Sequence, residues 1–178
     1  MICRFMASQM VNSAWAFFRA ASILLAAWLL ETPVVSAESA EPIVGKMAVR
    51  DGDTLLAGDR ELDLFGIDAP EKNQDCRTPN GTLHCGLHAA AALQKKIAGK
   101  VISCYPHETM DKSRTQAVCY KGIEDLSTWI VLQGWAVAAR HESADYVKAE
   151  EAARKGRKNI WRTKFVPPWK WRKGERLP

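Results

Sequence analysis

Five carboxylates crowd the first half of the chain: Asp51, Asp53, Asp63, Asp68 and Glu71. Asp53 and Asp68 suit a hard cation. Two carboxylates from neighbouring loops, completed by a backbone carbonyl and waters, make the oxygen-only shell that Ca2+ accepts. The same Asp-Gly and Asp-Ala-Pro sequences also form turns that need no ion. The far end of the chain carries the opposite charge. Residues 148–178 hold eleven Lys/Arg and three Glu, net +8, interleaved with Trp161, Trp169 and Trp171. Residues 38–147 carry a net −4. A cation site in an acidic pocket, with an anionic polymer on a basic face, accounts for this split. A solvated helix face with core-capping tryptophans accounts for the tail equally well.

Cysteine is the second chemical signal. Cys76, Cys85, Cys104 and Cys119 are an even number that permits three pairings. Cys76–Cys85 within one loop and Cys104–Cys119 across a hairpin are favoured. Directly opposed residues of antiparallel strands lie at a Cα separation that a disulfide accepts. The rival is a zinc site built from Cys76, His84, Cys85 and His88, although it lacks the usual CxxC spacing.

These residues need elements to hold them. Residues 43–50 and 54–57 read as strands around the tight turn Asp51-Gly52-Asp53, and 57–60 as a second turn. Leu62, Leu64 and Ile67 continue an apolar strand. Residues 69–86 read as a long loop rich in Pro, Asn, Gly and Cys. Residues 87–98 read as an Ala-rich helix, and 101–105 with 116–120 as a hairpin turning at Asp111-Lys112. Leu126, Ile130 and Val131 fit a helix capped by Asp125 and ending near Gly134. Residues 146–159 form a further amphipathic helix. Strands first and helices interspersed imply an α+β, mainly β domain, a small closed barrel with helices packed on it.

The 178 residues suit one domain with appendages. An apolar fraction of 47% excludes a disordered or collagen-like chain. No run of eighteen apolar residues exists for a polytopic membrane protein. Residues 1–37 read as a cleavable signal peptide. Arg4 and Arg19 precede an apolar run over 20–30, and Val35-Ser36-Ala37 offers the small residues of a cleavage site. The expected organisation is leader 1–37, domain 38–165 and basic Trp-containing tail 166–178. The mature protein is then exported, periplasmic or secreted, with no stable membrane anchor. An oxidising compartment agrees with paired cysteines.

Residues 49–54, reading Val-Arg-Asp-Gly-Asp-Thr, and 64–71, reading Leu-Phe-Gly-Ile-Asp-Ala-Pro-Glu, occur together. In order after them come Cys85-Gly86, Asp111-Lys112-Ser113-Arg114-Thr115, Gly134-Trp135-Ala136 and Tyr146 through Trp161. At these motifs the chain resembles the thermonuclease, staphylococcal-nuclease-like family over about residues 43–165. The resemblance implies a five-stranded OB-fold barrel with three packed helices and Ca2+-dependent hydrolysis of single-stranded or flexible DNA or RNA. It implies release of the 5′ oxygen, leaving 3′-phosphorylated products. It carries metal ligation onto Asp53, Asp68 and the carbonyl of Ala69, with Asp51 supporting them. It carries the water-directing glutamate onto Glu71 and one of two phosphate-gripping arginines onto Arg114, in a hairpin turn one residue shorter than the family's. The second family arginine falls five residues before Asp68, where this chain has Asp63. A carboxylate cannot donate to a phosphoryl oxygen and repels a phosphodiester, so weak activity is expected. Arg60 is expected on the opposite face of its strand, and Arg50 is a conceivable substitute. Arg154, Lys158 and Trp161 are candidate nucleic-acid contacts. A second resemblance, to an exported nuclease-like protein of succinoglycan biosynthesis, implies an alternative: a non-catalytic accessory part in exopolysaccharide machinery.

Overall fold

The first strand of the domain bends and pairs on both sides, and this closes the sheet. In the computed structural model, which describes residues 41–109 and 113–178, β1 (Ile43–Gly45) and β2 (Ala48–Val49) are separated only by Lys46 and Met47. β2 pairs antiparallel with β3 (Thr54–Ala57), which pairs with β4 (Arg60–Leu64). After β5 (Ile67–Asp68), a small hairpin of β6 (Cys76–Thr78) and β7 (Gly81–Leu83) leads into helix α1 (Cys85–Ile97). β8 (Ile102–Thr109) pairs with both β1 and β9 (Arg114–Lys121), and β9 runs parallel to β4. The sheet order β1-β8-β9-β4-β3-β2 therefore begins and ends on one bent strand. Counting β1 and β2 as one gives the five strands expected of the barrel. The expected leader and the turn residues Asp111 and Lys112 lie outside the described residues.

The remaining elements are β10 (Glu124–Asp125), α2 (Leu126–Leu132), β11 (Val137–Ala138), α3 (Val147–Lys155), a 3-10 turn (Asn159–Arg162) and α4 (Pro168–Arg172). Asp125 caps α2 as expected, its Oδ1 accepting the Thr128 N–H at 3.1 Å. The core joins Leu55, Leu62 and Leu64 of the barrel to Leu93 and Ile97 of α1 and to Leu126 and Ile130 of α2. Leu55 opposes Leu62 across β3 and β4, and Thr54 opposes Asp63. A slip of one residue would turn Asp63 into the core and the leucines out of it, so burial fixes the register. That register sends Asp63 to the outer face.

Three features differ from the sequence expectation. The region 69–86 contains the β6–β7 hairpin rather than loop alone. α3 stops at Lys155, with Gly156 following, and residues 156–158 are not helical before the 3-10 turn begins at Asn159. The tail forms the short helix α4, begun by Pro167-Pro168, where proline is tolerated at the first turn. Both favoured disulfides are present. Cys76–Cys85 spans 5.7 Å between Cα atoms, and Cys104–Cys119 spans 4.0 Å between directly opposed residues of β8 and β9. The zinc alternative fails because its two cysteines are bonded to each other.

Candidate active site

Two close approaches bring the carboxylate turns together. A Cβ on Gly52 would lie 2.7 Å from the Ala69 Cβ and 2.8 Å from that of Ala89 in α1. Only glycine lets the 51–53 turn sit this near the 68–71 segment. A Cβ on Gly86 would lie 1.7 Å from the Glu71 carbonyl oxygen, so the start of α1 fixes the Glu71 backbone from below. The result is a cleft of about 310 Å3 lined by Asp51, Asp53, Asp63, Asp68, Glu71 and Glu142, and by Arg50, Arg114 and Arg172. Six carboxylates face three guanidiniums, and the wall is acidic.

Asp53 accepts the Ala69 N–H at 2.6 Å, which ties the two loops directly. Burial, then the hydrogen bond and charge of Asp51, hold the Asp53 carboxyl well above the usual carboxylate range, with Asp68 adding to the repulsion. Asp68 is buried, and desolvation raises it too, against the stabilising pull of Arg172. Glu71 lies on the same wall.

The arginines are paired within the cleft. Arg114 Nε donates to Asp63 Oδ2 at 2.5 Å, and Asp63 Oδ1 accepts the Thr54 hydroxyl at 2.9 Å. Arg50 bonds Glu61. Arg172, 104 residues after Asp68, reaches in from α4. Its Nη1 and Nη2 donate to Asp68 Oδ1 and Oδ2 at 2.8 and 2.9 Å, and Nη1 also donates to Glu71 Oε1 at 2.8 Å. Sequence reasoning missed Arg172. The only signal was the basic, tryptophan-bearing tail, read as a polymer-binding surface. Its delivery depends on Gln74. That fully buried side chain donates to the Val166 carbonyl at 2.6 Å and accepts the Glu71 N–H at 3.3 Å. One amide thus holds both the Glu71 segment and the approach to α4.

The other candidates lie elsewhere. Arg154 stacks over Trp161 at 5.6 Å, and Lys158 Nζ donates to the Leu132 carbonyl at 2.9 Å. Neither they nor Trp161 line the acidic cleft.

Among the described residues no three His, Cys, Asp or Glu side chains form a cluster arranged to hold a metal ion. The donor chemistry still suits a hard cation: oxygen only, and carboxylates that burial and mutual repulsion destabilise as anions. A carboxylate offers about four lone-pair sites, so Asp68, bonded twice to Arg172, keeps two.

A family model described as "Staphylococcal nuclease homologue" matches residues 61–163. The chain is also 31% identical over 131 residues to the succinoglycan biosynthesis protein ExoI of Rhizobium meliloti (strain 1021), covering 71% of this chain and 68% of that protein.

Proposed function

The chain belongs to the staphylococcal nuclease family, and from that premise we propose that the cleft is an exported, calcium-dependent phosphodiesterase site for flexible DNA or RNA, slowed by Asp63. Asp53, Asp68 and the Ala69 carbonyl are the residues that would hold calcium, and Asp51 would support them through the turn they share. Bound there, the ion supplies positive charge for a phosphate in an otherwise acidic cleft. Glu71 directs a water toward phosphorus and takes its proton. Arg114 offers its guanidinium to the charge that grows on the phosphoryl oxygens.

The observation that carries the reading is the Arg114–Asp63 pair. It joins a phosphate-binding guanidinium to a carboxylate standing where the resemblance implies a second arginine. Position 63 offers no donor, and the Arg114 guanidinium is partly neutralised. Losing one such donor typically costs about 10²–10³ in rate. The test is cleavage of a single-stranded oligonucleotide in calcium buffer by wild type, Asp63→Asn and Asp63→Arg. Asp63→Asn is expected to be faster than wild type, and Asp63→Arg faster still, by about 10². Equal rates in all three would overturn the reading of Asp63.

A second reading is favoured by the similarity to a succinoglycan biosynthesis protein: an accessory role in exopolysaccharide production, with the cleft used for binding alone. It gains if wild type and Asp63→Arg both bind calcium and neither cleaves.

A further inference from the structure

The tail that carries Arg172 is docked rather than loose. Arg77 and Lys164 exchange two backbone hydrogen bonds of 2.8 Å, which fasten the chain to β6. Val166 is held by Gln74, Pro168 is buried, and α4 then presents Arg172 from its last position. A guanidinium has five N–H donors arranged in planar forks. The end-on fork of Arg172 grips both oxygens of Asp68, and the outer hydrogen of Nη1 serves Glu71. The side-on fork, Nε–H with the second hydrogen of Nη2, is bonded to nothing among the described residues. The side chain is 48% exposed where it lines the cleft. Two parallel N–H donors at that spacing match two oxygens of one phosphate.

We infer that Arg172 is the substrate-gripping arginine of this cleft, entering from the C-terminal side and supplying the guanidinium that position 63 lacks. The inference rests on the phosphodiesterase reading and names its second phosphate ligand. The anion it takes is a phosphodiester, bound through its two non-bridging oxygens. Asp68 and Glu71 hold the guanidinium rigid before substrate arrives, so little reorganisation is needed when charge grows on those oxygens. The bond to Glu71 sets the water-directing carboxylate and the phosphate-binding group in one fixed frame. Arg50 is turned to Glu61 and does not fill this place.

The test compares wild type with Arg172→Ala, Arg172→Lys and Lys173→Ala. Lys173 carries the same charge one residue on, outside the cleft lining. Two readouts are taken in calcium buffer. One is cleavage of a fluorescent single-stranded oligonucleotide. The other is its binding by fluorescence anisotropy across a salt series, with thermal unfolding measured on each variant. Arg172→Ala is expected to lose about 10² in kcat/KM and to lower the salt slope of binding by about one phosphate. Arg172→Lys restores that slope, because the charge remains, but leaves cleavage at least about tenfold down, because the fork is gone. Lys173→Ala keeps the wild-type cleavage rate. An Arg172→Ala protein that cleaves as fast as wild type, or faster, overturns the inference and makes the guanidinium an internal counter-ion. If wild type does not cleave at all, the phosphodiesterase reading fails separately. The binding arm then decides Arg172, and an unchanged affinity and slope in Arg172→Ala rejects it. Should Arg172→Ala fail to fold, the charge-conserving Arg172→Lys variant carries the decision through its cleavage rate.

Discussion

Gly86→Ala isolates the contact on which the position of Glu71 depends. An ordinary helical Gly→Ala change gains up to about 1 kcal/mol in propensity, and Gly86 has no left-handed backbone to lose. Sterics oppose that gain. The new Cβ would meet the Glu71 carbonyl oxygen at 1.7 Å, its carbon at 2.5 Å and the Lys72 Cα at 2.9 Å. All three are backbone atoms, so no rotamer change relieves the clash. Ordinary contact begins at 3.4 Å, so the segment must withdraw by about 1.7 Å. It is tethered against doing so. Gln74 N donates to the Glu71 carbonyl at 2.7 Å, Gly86 N donates to the Gln74 carbonyl at 3.1 Å, and the Cys76–Cys85 disulfide ties the neighbouring chain. Overpacking of about 1–3 kcal/mol and one broken backbone bond of about 1 kcal/mol outweigh the propensity gain of up to about 1 kcal/mol, leaving a net loss of about 1–3 kcal/mol. For a domain of this size that lowers Tm by roughly 3–12 °C. Thermal unfolding followed by circular dichroism reads this directly. On the proposed phosphodiesterase reading, oligonucleotide cleavage should fall about 10²-fold, because a displacement beyond 1 Å moves Glu71 out of line with the water it is proposed to direct. A Tm equal to or above wild type would refute the argument and show that the segment yields without cost.

Three further outcomes are expected. Asp125→Ala removes the side-chain acceptor of the Thr128 N–H at the start of α2 and should cost about 1 kcal/mol in urea unfolding, whereas Asp125→Asn or Asp125→Ser should cost much less. Replacing both Cys104 and Cys119 by alanine opens a loop of sequence separation 15 and should cost about 3 kcal/mol, read as a lower urea midpoint. The hydrogen bond from Lys96 holds the Glu124 carboxyl below the usual carboxylate range, with the charges of Lys96 and Lys121 adding to it. A carboxyl lowered by folding stabilises above its unfolded value and stops doing so as pH falls through its folded value. The Tm advantage of wild type over Glu124→Gln should therefore be small at neutral pH, since the pair is largely exposed, and vanish on acidification through that range. An advantage that grew on acidification would contradict the pairing.

Much of the barrel is legible from local chemistry. Alternation in 54–57 and 60–64 marks strands because one face must be buried, and Asp-Gly and Gly-Asp mark their turns. The Cys104–Cys119 bridge follows from hairpin symmetry, and the cap at Asp125 from a short acidic side chain preceding an apolar run. The β6–β7 hairpin was hidden because its strands are three residues each and one of them is exposed. Its stability comes from the Cys76–Cys85 bridge and the Lys164 bridge, and neither leaves a periodic pattern. The bent first strand reads as continuous for a related reason. Its two halves differ only in the partner each finds, and that is decided by closure of the sheet.

The carboxylate wall and its arginines show where sequence reading loses sight of a site. Asp53 sits in a turn and Asp68 at the end of β5 before Ala69-Pro70, positions their own neighbours announce, and Gly52 and Gly86 record the close packing that joins the two segments. Asp63 is legible as a position but not as a partner, because its bond to Arg114 crosses the parallel β4–β9 pairing. Arg172 is legible as neither. In composition it is one of eleven bases in residues 148–178, and nothing local separates it from Lys170 or Lys173. Its selection depends on Gln74, a buried amide 92 residues from the carbonyl it holds. An acidic cleft whose own strand carries Asp63 rather than an arginine can receive a guanidinium from any segment that folds over it, as it does from Arg172. Charge balance in such a site is therefore a property of the closed tertiary structure, and a substitution such as Asp63 cannot be weighed from its own strand alone.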